Sequence, residues 1–429
     1  MRIALFAALA PAALRSPPHT DHHDDSCVAP LACQLANRGH SVDVIASSDI
    51  EFAPNALRAM PNLRLLRVDL PACHADSVLG IESFLTTASR LIADRMALEH
   101  CDYDVMHGQC VLSGRVSEHL ARARGMPHVV TVDTLAPASR TSCFGDSGVA
   151  RWKRWSEALL VEGATRAIAT SPQCLSEMVA IHGADVRRTD IVPHGYDPHE
   201  AYCIDKRIAR AILGWDANDC IILQRSDDST QGIATAIRSL AVAQARHRLP
   251  LRLQIIHAGS QSASLALPEI TRLRQLATTL GVGAAVRFMD AWPRDVLSIF
   301  RSAADVFITL SERSGFASGA LEAMACGLPV VASRRASTAY IVQHGATGRV
   351  LPSVDPDSLA ESLAALCTDR TLRQSMGIAG RRRAENFTWY HVAKALSRVY
   401  ENAIAASHAA AAGGCSAPAQ NWHSQRVNL

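Results

Sequence analysis

The chain is predicted to be α/β, built as two successive series of parallel strands, each covered by helices on both faces. Three observations predict it. Short apolar runs alternate with stretches of helical period. That alternation stops at Ile191 to Asp197 (IVPHGYD), where Pro193 and Gly195 break any regular element, and it begins again at Cys220. And 429 residues exceed what one hydrophobic core ordinarily organises.

The elements follow in order. Residues 2–9 (RIALFAAL) read as a buried first strand. The segment MRIALFAALAPAAL also has the charge-then-apolar character of a weak signal peptide, but the helix and the RGHSVDVIAS run behind it favour the strand. Residues 27–38 read as helix, with Val28, Leu31, Ala32 and Leu35 on one face. Strands are expected at 41–46, 63–68, 103–107, 127–132 and 166–170, completing an N-terminal domain over residues 1–197. The second series has strands at 220–225, 251–259, 285–290, 305–310 and 329–333. Its helices are expected at 229–245, 267–280, 294–302, 318–326, 356–366 and 371–384, which gives a domain over 198–387. A helix over 388–405 is expected to cross back to the first domain, and 406–429, rich in Ala, Gly and Gln, to be a loose tail. Two such domains facing each other leave a cleft at the carboxyl ends of their strands, where open α/β sheets bind ligands.

Composition narrows the function. The 43 Lys and Arg nearly cancel the 40 Asp and Glu, the basic residues are scattered, and aromatics are only 5%, so nothing points to nucleic acid. The twelve cysteines contain no CxxC pair, and many sit in apolar runs, which reads as buried thiols in a reducing cytoplasm. No stretch reaches the length of a spanning helix without a charge or proline. A cytoplasmic location follows, with peripheral contact at the inner membrane face left open.

The segment Leu310 to Val331, LSERSGFASGALEAMACGLPVV, carries the chemistry. A strand ends at Leu310 and a helix begins near Ser318. A turn at Ser314-Gly315 would present backbone N–H groups to an anion at the helix start. Glu322, one turn into that helix, could accept hydrogen bonds from a ribose diol. The plainer alternative is a Gly-rich turn followed by a surface glutamate.

This segment resembles the signature of retaining glycosyltransferases of the GT-B group, specifically family 4 (group 1). Phe316 and Glu322 match the motif's phenylalanine and second glutamate, and LEAMACGLPVVAS matches closely. Other landmarks fall in order: Arg38-Gly39-His40, Ser171, Val192-Pro193-His194-Gly195-Tyr196-Asp197 in place of the usual Pro-Asn-Gly-Val-Asp, HGATGRVLPSVDPDSLAESLAAL, and Phe387 with Trp389. The resemblance covers residues 1 to about 402. It implies the GT-B fold, two facing Rossmann-like domains with an interdomain cleft. It also implies transfer of a sugar from a nucleotide diphosphate sugar to a glycan, lipid or small-molecule acceptor, as in polysaccharide or glycoconjugate biosynthesis.

Carried over residue by residue, the resemblance assigns the donor diphosphate to Arg225, helped by Gln231 and by backbone around Gly315, Phe316, Ala317 and Ser318. It assigns the ribose to Glu322, and the donor sugar to Ser314 or to Glu312. His107, Asp133 and Arg151 are candidates on the acceptor side, with Lys153, Arg154, Trp152 and Trp155 beside Arg151. The chain departs from the family pattern in four places. Ser314 replaces the first glutamate, and Gln231 stands where the family carries a lysine. His22 and His23 replace a glycine pair, and Asp133 stands at or beside a usual histidine. The HTDHHDD stretch offers His19, Asp21, His22, His23, Asp24 and Asp25 as ligands for a divalent ion, or is a polar surface loop; no metal or other cofactor is assigned. A catalytically impaired protein repurposed for nucleotide, sugar or protein binding is the alternative function.

Overall fold

The computed structural model of the chain describes residues 1–7, 9, 23–48, 60–73, 77–132, 148–226, 229–258, 267–293, 296–310, 318–334 and 338–412. The first sheet comprises β1 (Arg2–Phe6), β2 (Ser41–Ser47), β3 (Leu63–Val68), β4 (Val105–Gln109), β5 (His128–Val132), β6 (Arg166–Ala169) and β7 (Thr189–Ile191). The second comprises β8 (Cys220–Arg225), β9 (Leu251–Ala258), β10 (Val286–Trp292), β11 (Val306–Thr309), β12 (Val330–Ser333) and β13 (Gly348–Leu351). The helices are α1 (His23–Asn37), α2 (Val78–Leu98), α3 (Cys110–Ala123), α4 (Gly148–Gly163), α5 (Pro172–His182), α6 (Lys206–Leu213), α7 (Thr230–His247), α8 (Leu267–Thr279), α9 (Leu297–Ala303), α10 (Ser318–Ala325), α11 (Thr338–Ile341), α12 (Pro356–Thr368), α13 (Arg370–Ala384) and α14 (Trp389–Ala412).

The strand orders are β3-β2-β1-β4-β5-β6-β7 and β10-β9-β8-β11-β12-β13. The pairings are parallel, with Ile3 beside Val42 on one side and Val105 on the other, and Ile222 flanked by Leu253 and Val306. Central strands buried on both faces must be apolar throughout, which is why RIALF and CIIL show no alternation. In each sheet the winding reverses beside the first strand, between β1 and β4 and between β8 and β11. Such reversals open a crevice at the carboxyl ends, because the flanking connections depart in opposite directions.

A network of charges surrounds Asp305 at the amino end of β11. Its carboxylate accepts from Ile221 N at 2.8 Å and Arg210 Nη2 at 2.6 Å, with Lys206 Nζ at 2.5 Å and Arg373 Nε at 3.7 Å. Arg210 also donates to the carbonyls of Ala303, Asp216, Ala217 and Asp219. α6, β8, β11 and α13 are thereby joined at one buried carboxylate.

α14 packs on the first sheet, with Trp389, Val392, Leu396 and Tyr400 in the same core as Ile3, Val44 and Val105. The Tyr400 hydroxyl lies 2.8 Å from His107 Nδ1, and Thr131 Oγ1 lies 2.8 Å from His107 Nε2. The chain segments at 196 and 388 form a parallel bridge: Tyr196 N donates to Phe387 O at 3.0 Å and Trp389 N to Tyr196 O at 3.3 Å. Gly195 is required there, since a Cβ would lie 2.7 Å from the Trp389 ring.

Three expectations are corrected. α14 runs to Ala412, so residues 406–412 are helical rather than loose; alanine is the best helix former. β4 starts at Val105 rather than 103, because Tyr103 and Asp104 turn to bond Asp43 and the backbone of Arg2. And Cys220 and Cys367 are joined as a disulfide, with Cα atoms 6.1 Å apart across β8 and α12. Their separation of 147 residues leaves no local trace of the pairing in the sequence.

Reducing that bond reopens a loop of 147 residues. In the chain-entropy account this removes about 5 kcal/mol of stabilisation. Thermal melts should show the midpoint falling by several degrees on adding reductant, and a Cys367→Ser variant should show no response to it. Acid should weaken the first sheet as well. Burial holds His107 at about 3. It also holds His128 at about 3, with the neighbouring charges of His107, Arg115 and Arg122 adding to the effect. Both folded values lie below the unfolded value, so the unfolded chain takes up protons first. Their contribution is intact above about pH 6.5 and declines as pH falls toward about 3, by up to about 1.4 kcal/mol per pH unit for each imidazole. Urea unfolding near pH 7 and near pH 5 tests this; equal stabilities would refute it.

Candidate functional site

The crevice between β8 and β11 gathers the candidate side chains of the second sheet that the structure describes. Arg225 is the last residue of β8 and is buried. Its side chain crosses the first turn of α10: a Cβ on Gly319 would lie 2.8 Å from Arg225 Cδ and 3.3 Å from Nη1, so glycine is needed for the guanidinium to lie there. Ser318, the first residue of α10, is buried beside it in sequence. On the other side, α7 opens with Ser229 as its cap, Oγ accepting from Gly232 N at 3.0 Å. Gly232 packs on the end of β11, where a Cβ would sit 3.2 Å from Leu310 Cβ. The start of α10 therefore meets the Arg225 guanidinium, and the start of α7 packs on the end of the adjacent strand. Backbone N–H groups, helix dipoles and a fixed cation together suit a phosphate-bearing anion.

Glu322 is not the surface glutamate of the plainer reading. It is 8% exposed and its Oε2 accepts from Arg301 Nη2, with Arg301 itself 3% exposed in α9. Arg301 was missed from the sequence, although one cation inside the apolar run LSIFRSA signals a buried charge that needs a partner. A second residue missed is His257 near the end of β9, whose Nδ1 lies 2.8 Å from Ser226 Oγ, one residue beyond Arg225. Gln231 is the second residue of α7 and is exposed, so its amide is available at the helix start.

His107 is not at the end of its strand as expected. It lies inside β4, 1% exposed, both ring nitrogens engaged by Tyr400 and Thr131, and burial keeps it neutral. Arg151 is exposed in the first turn of α4. Nearby, Trp152 turns inward and donates to Glu82 Oε1 at 2.6 Å, whereas Trp155 is exposed with the Arg115 guanidinium 5.7 Å from its ring centre. Lys153 Nζ lies 3.9 Å from buried Glu157. Glu312, Ser314, Gly315, Phe316, Ala317, Asp133, His19 and His22 lie outside the described residues, as does the side chain of His23. Among the described residues no group of three His, Cys, Asp or Glu side chains could hold a metal ion, and no helix is long and apolar enough to cross a membrane.

Residues 205–383 match the family model for glycosyl transferases group 1, and residues 25–195 match that for the glycosyl transferase 4-like domain. The D-inositol 3-phosphate glycosyltransferase of Acidothermus cellulolyticus is 31% identical over 392 residues, covering 90% of this chain and 86% of that protein. That of Corynebacterium jeikeium is 30% identical over 394 residues, covering 88% and 91%. Among solved structures, sucrose-phosphate synthase from Thermosynechococcus elongatus superposes with a TM-score of 0.76 at 23% identity, over 95% of this chain and 100% of that one. Anabaena HepE in complex with UDP and glucose gives 0.69 at 16% identity, over 94% and 99%. The two structural likenesses speak for the fold alone, which is GT-B. Taken with the matches along both halves of the sequence, they lead to one conclusion: the chain belongs to the group 1 glycosyltransferases of family 4.

Proposed function

We propose that this glycosyltransferase moves a sugar, with retention, from a uridine diphosphate sugar to a phosphorylated polyol of the inositol phosphate type. The observation that carries the reading is the Arg225 guanidinium lying over the start of α10 at the β8–β11 crevice, with the start of α7 packed on the neighbouring strand end. The choice of uridine is supported by the UDP and UDP-glucose complexes among the structural neighbours. The acceptor class is supported by the names of the sequence relatives.

In this reading Arg225 holds the donor diphosphate, and the N–H groups at the starts of α7 and α10 donate to its oxygens. Glu322, steadied by Arg301, accepts from the ribose hydroxyls through its remaining acceptor capacity. Ser314 or Glu312 meets the donor sugar. As the glycosidic bond breaks, negative charge grows on the departing diphosphate, and a fixed cation in a water-poor crevice stabilises that charge more than it stabilises the bound donor. The departing phosphate takes the acceptor hydroxyl proton on the face where the new bond forms, which preserves the anomeric configuration. Exposed Arg151 supplies positive charge for the acceptor phosphate, and Asp133 a polar contact. His107 is neutral and fully engaged, so its part is to hold Tyr400 and Thr131 in place.

Transfer from a panel of uridine diphosphate sugars to D-inositol 3-phosphate, followed by product analysis, tests the reading. Absence of both product and UDP binding in folded protein would overturn it. Arg225→Ala should lower kcat/KM by about 10²–10³-fold, chiefly through kcat. Glu322→Gln should act chiefly by raising the donor KM. Gln231 occupies an exposed helix start without charge. Gln231→Lys should therefore raise kcat by about tenfold, since an added ammonium stabilises the leaving diphosphate. An unchanged kcat would mean that Arg225 and the helix starts already suffice.

A further inference from the structure

A cavity under the chain segment that leaves the first sheet is lined by Cys27 and Leu31 of α1, Cys110 of α3, Val192 and His194 of that segment, and Trp389 of α14. The transfer described above gives Cys27 and His194 no part. Two observations set them apart. Cys27 Sγ lies 3.2 Å from His194 Nδ1, within hydrogen-bond reach for a thiol. The imidazole is also held in place: it stands edge-on to Trp389 with ring centres 6.3 Å apart, and Gly195 is pressed against the same indole. His194 further replaces the asparagine of the motif that this segment otherwise resembles. A thiol is a nucleophile only as thiolate, and an imidazole fixed at its sulfur is the arrangement that produces one.

We propose that Cys27 is a thiol–disulfide exchange site for low-molecular-weight disulfides, with His194 as its base. His194 Nδ1 takes the proton from Sγ. The thiolate attacks one sulfur of the small disulfide, a new S–S bond to Cys27 forms as the old one breaks, and the departing thiolate takes the proton from His194. The Cys27 sulfur is oxidised and the leaving sulfur reduced, so the exchange balances. Cys27 is 6% exposed, and the exchange requires the small disulfide to enter by the side of this cavity that opens to solvent.

The test is incubation of the native protein with oxidised glutathione, followed by intact mass and peptide mapping over time. Cys203, an exposed thiol, serves as the internal reference. The expected result is a mixed disulfide at Cys27. His194→Asn should slow its formation about tenfold or more while Cys203 reacts at an unchanged rate. A His194→Gln variant repeats the comparison if the asparagine variant does not keep the native circular dichroism spectrum. The proposal is overturned if Cys203 is labelled and Cys27 is not, if Cys110 takes the adduct in its place, or if Cys27 reacts as fast in the folded histidine variants as in the native protein.

Discussion

The site depends on β11 lying beside β8, and the buried carboxylate of Asp305 is what anchors that adjacency. Asp305 sits at the amino end of β11 and accepts from the backbone N–H of Ile221 in β8, while Arg210 clamps it from α6. A carboxylate this deeply buried is tolerable only when its charge is met by cations and N–H donors. Here α6 and α13 supply the cations, so a helix that precedes the first strand of the sheet and one that follows its last strand are both drawn to the point where its winding reverses. Removing the acid would strand a buried guanidinium, a loss typically of about 3–5 kcal/mol. At the opposite ends of the same two strands stand Arg225 and Leu310, which border the crevice.

Close backbone approach then sets the shape of the crevice. Gly319 lets Arg225 lie over the start of α10, and Gly232 lets α7 press on Leu310. A guanidinium laid over a helix start gives local positive potential without a net basic domain.

The first sheet is organised around a different constraint. α14 comes last in the described sequence yet packs in the core of β1, β2 and β4, and the bridge between Tyr196 and Thr388 ties its start to the segment leaving the first sheet. Trp389 is central to this, touching Gly195 and standing beside His194. The same packing buries His107 inside the strand and engages its ring with Tyr400.

Periodicity alone was enough for the alternating strands and helices, because parallel strands buried on both faces must be continuous apolar runs. The RIALF and CIIL segments were legible for that reason. The break at Pro193 and Gly195 and the family motif around Glu322 were legible too, since they rest on local backbone chemistry. The return of the last helix to the first sheet was legible from the family resemblance, but the side-chain partnerships between residues far apart in the chain were left open. Patterning leaves Glu322 open between a surface glutamate and a ribose contact; its burial against Arg301 is decided by the fold. His107 reads as a strand-end ligand until Tyr400, 293 residues away, covers it. The Cys220–Cys367 bond and the Cys27–His194 contact have no local signature at all. Local pattern determines which segments become strands and helices; only packing decides which side chains meet, because burial and partnership are properties of the assembled core.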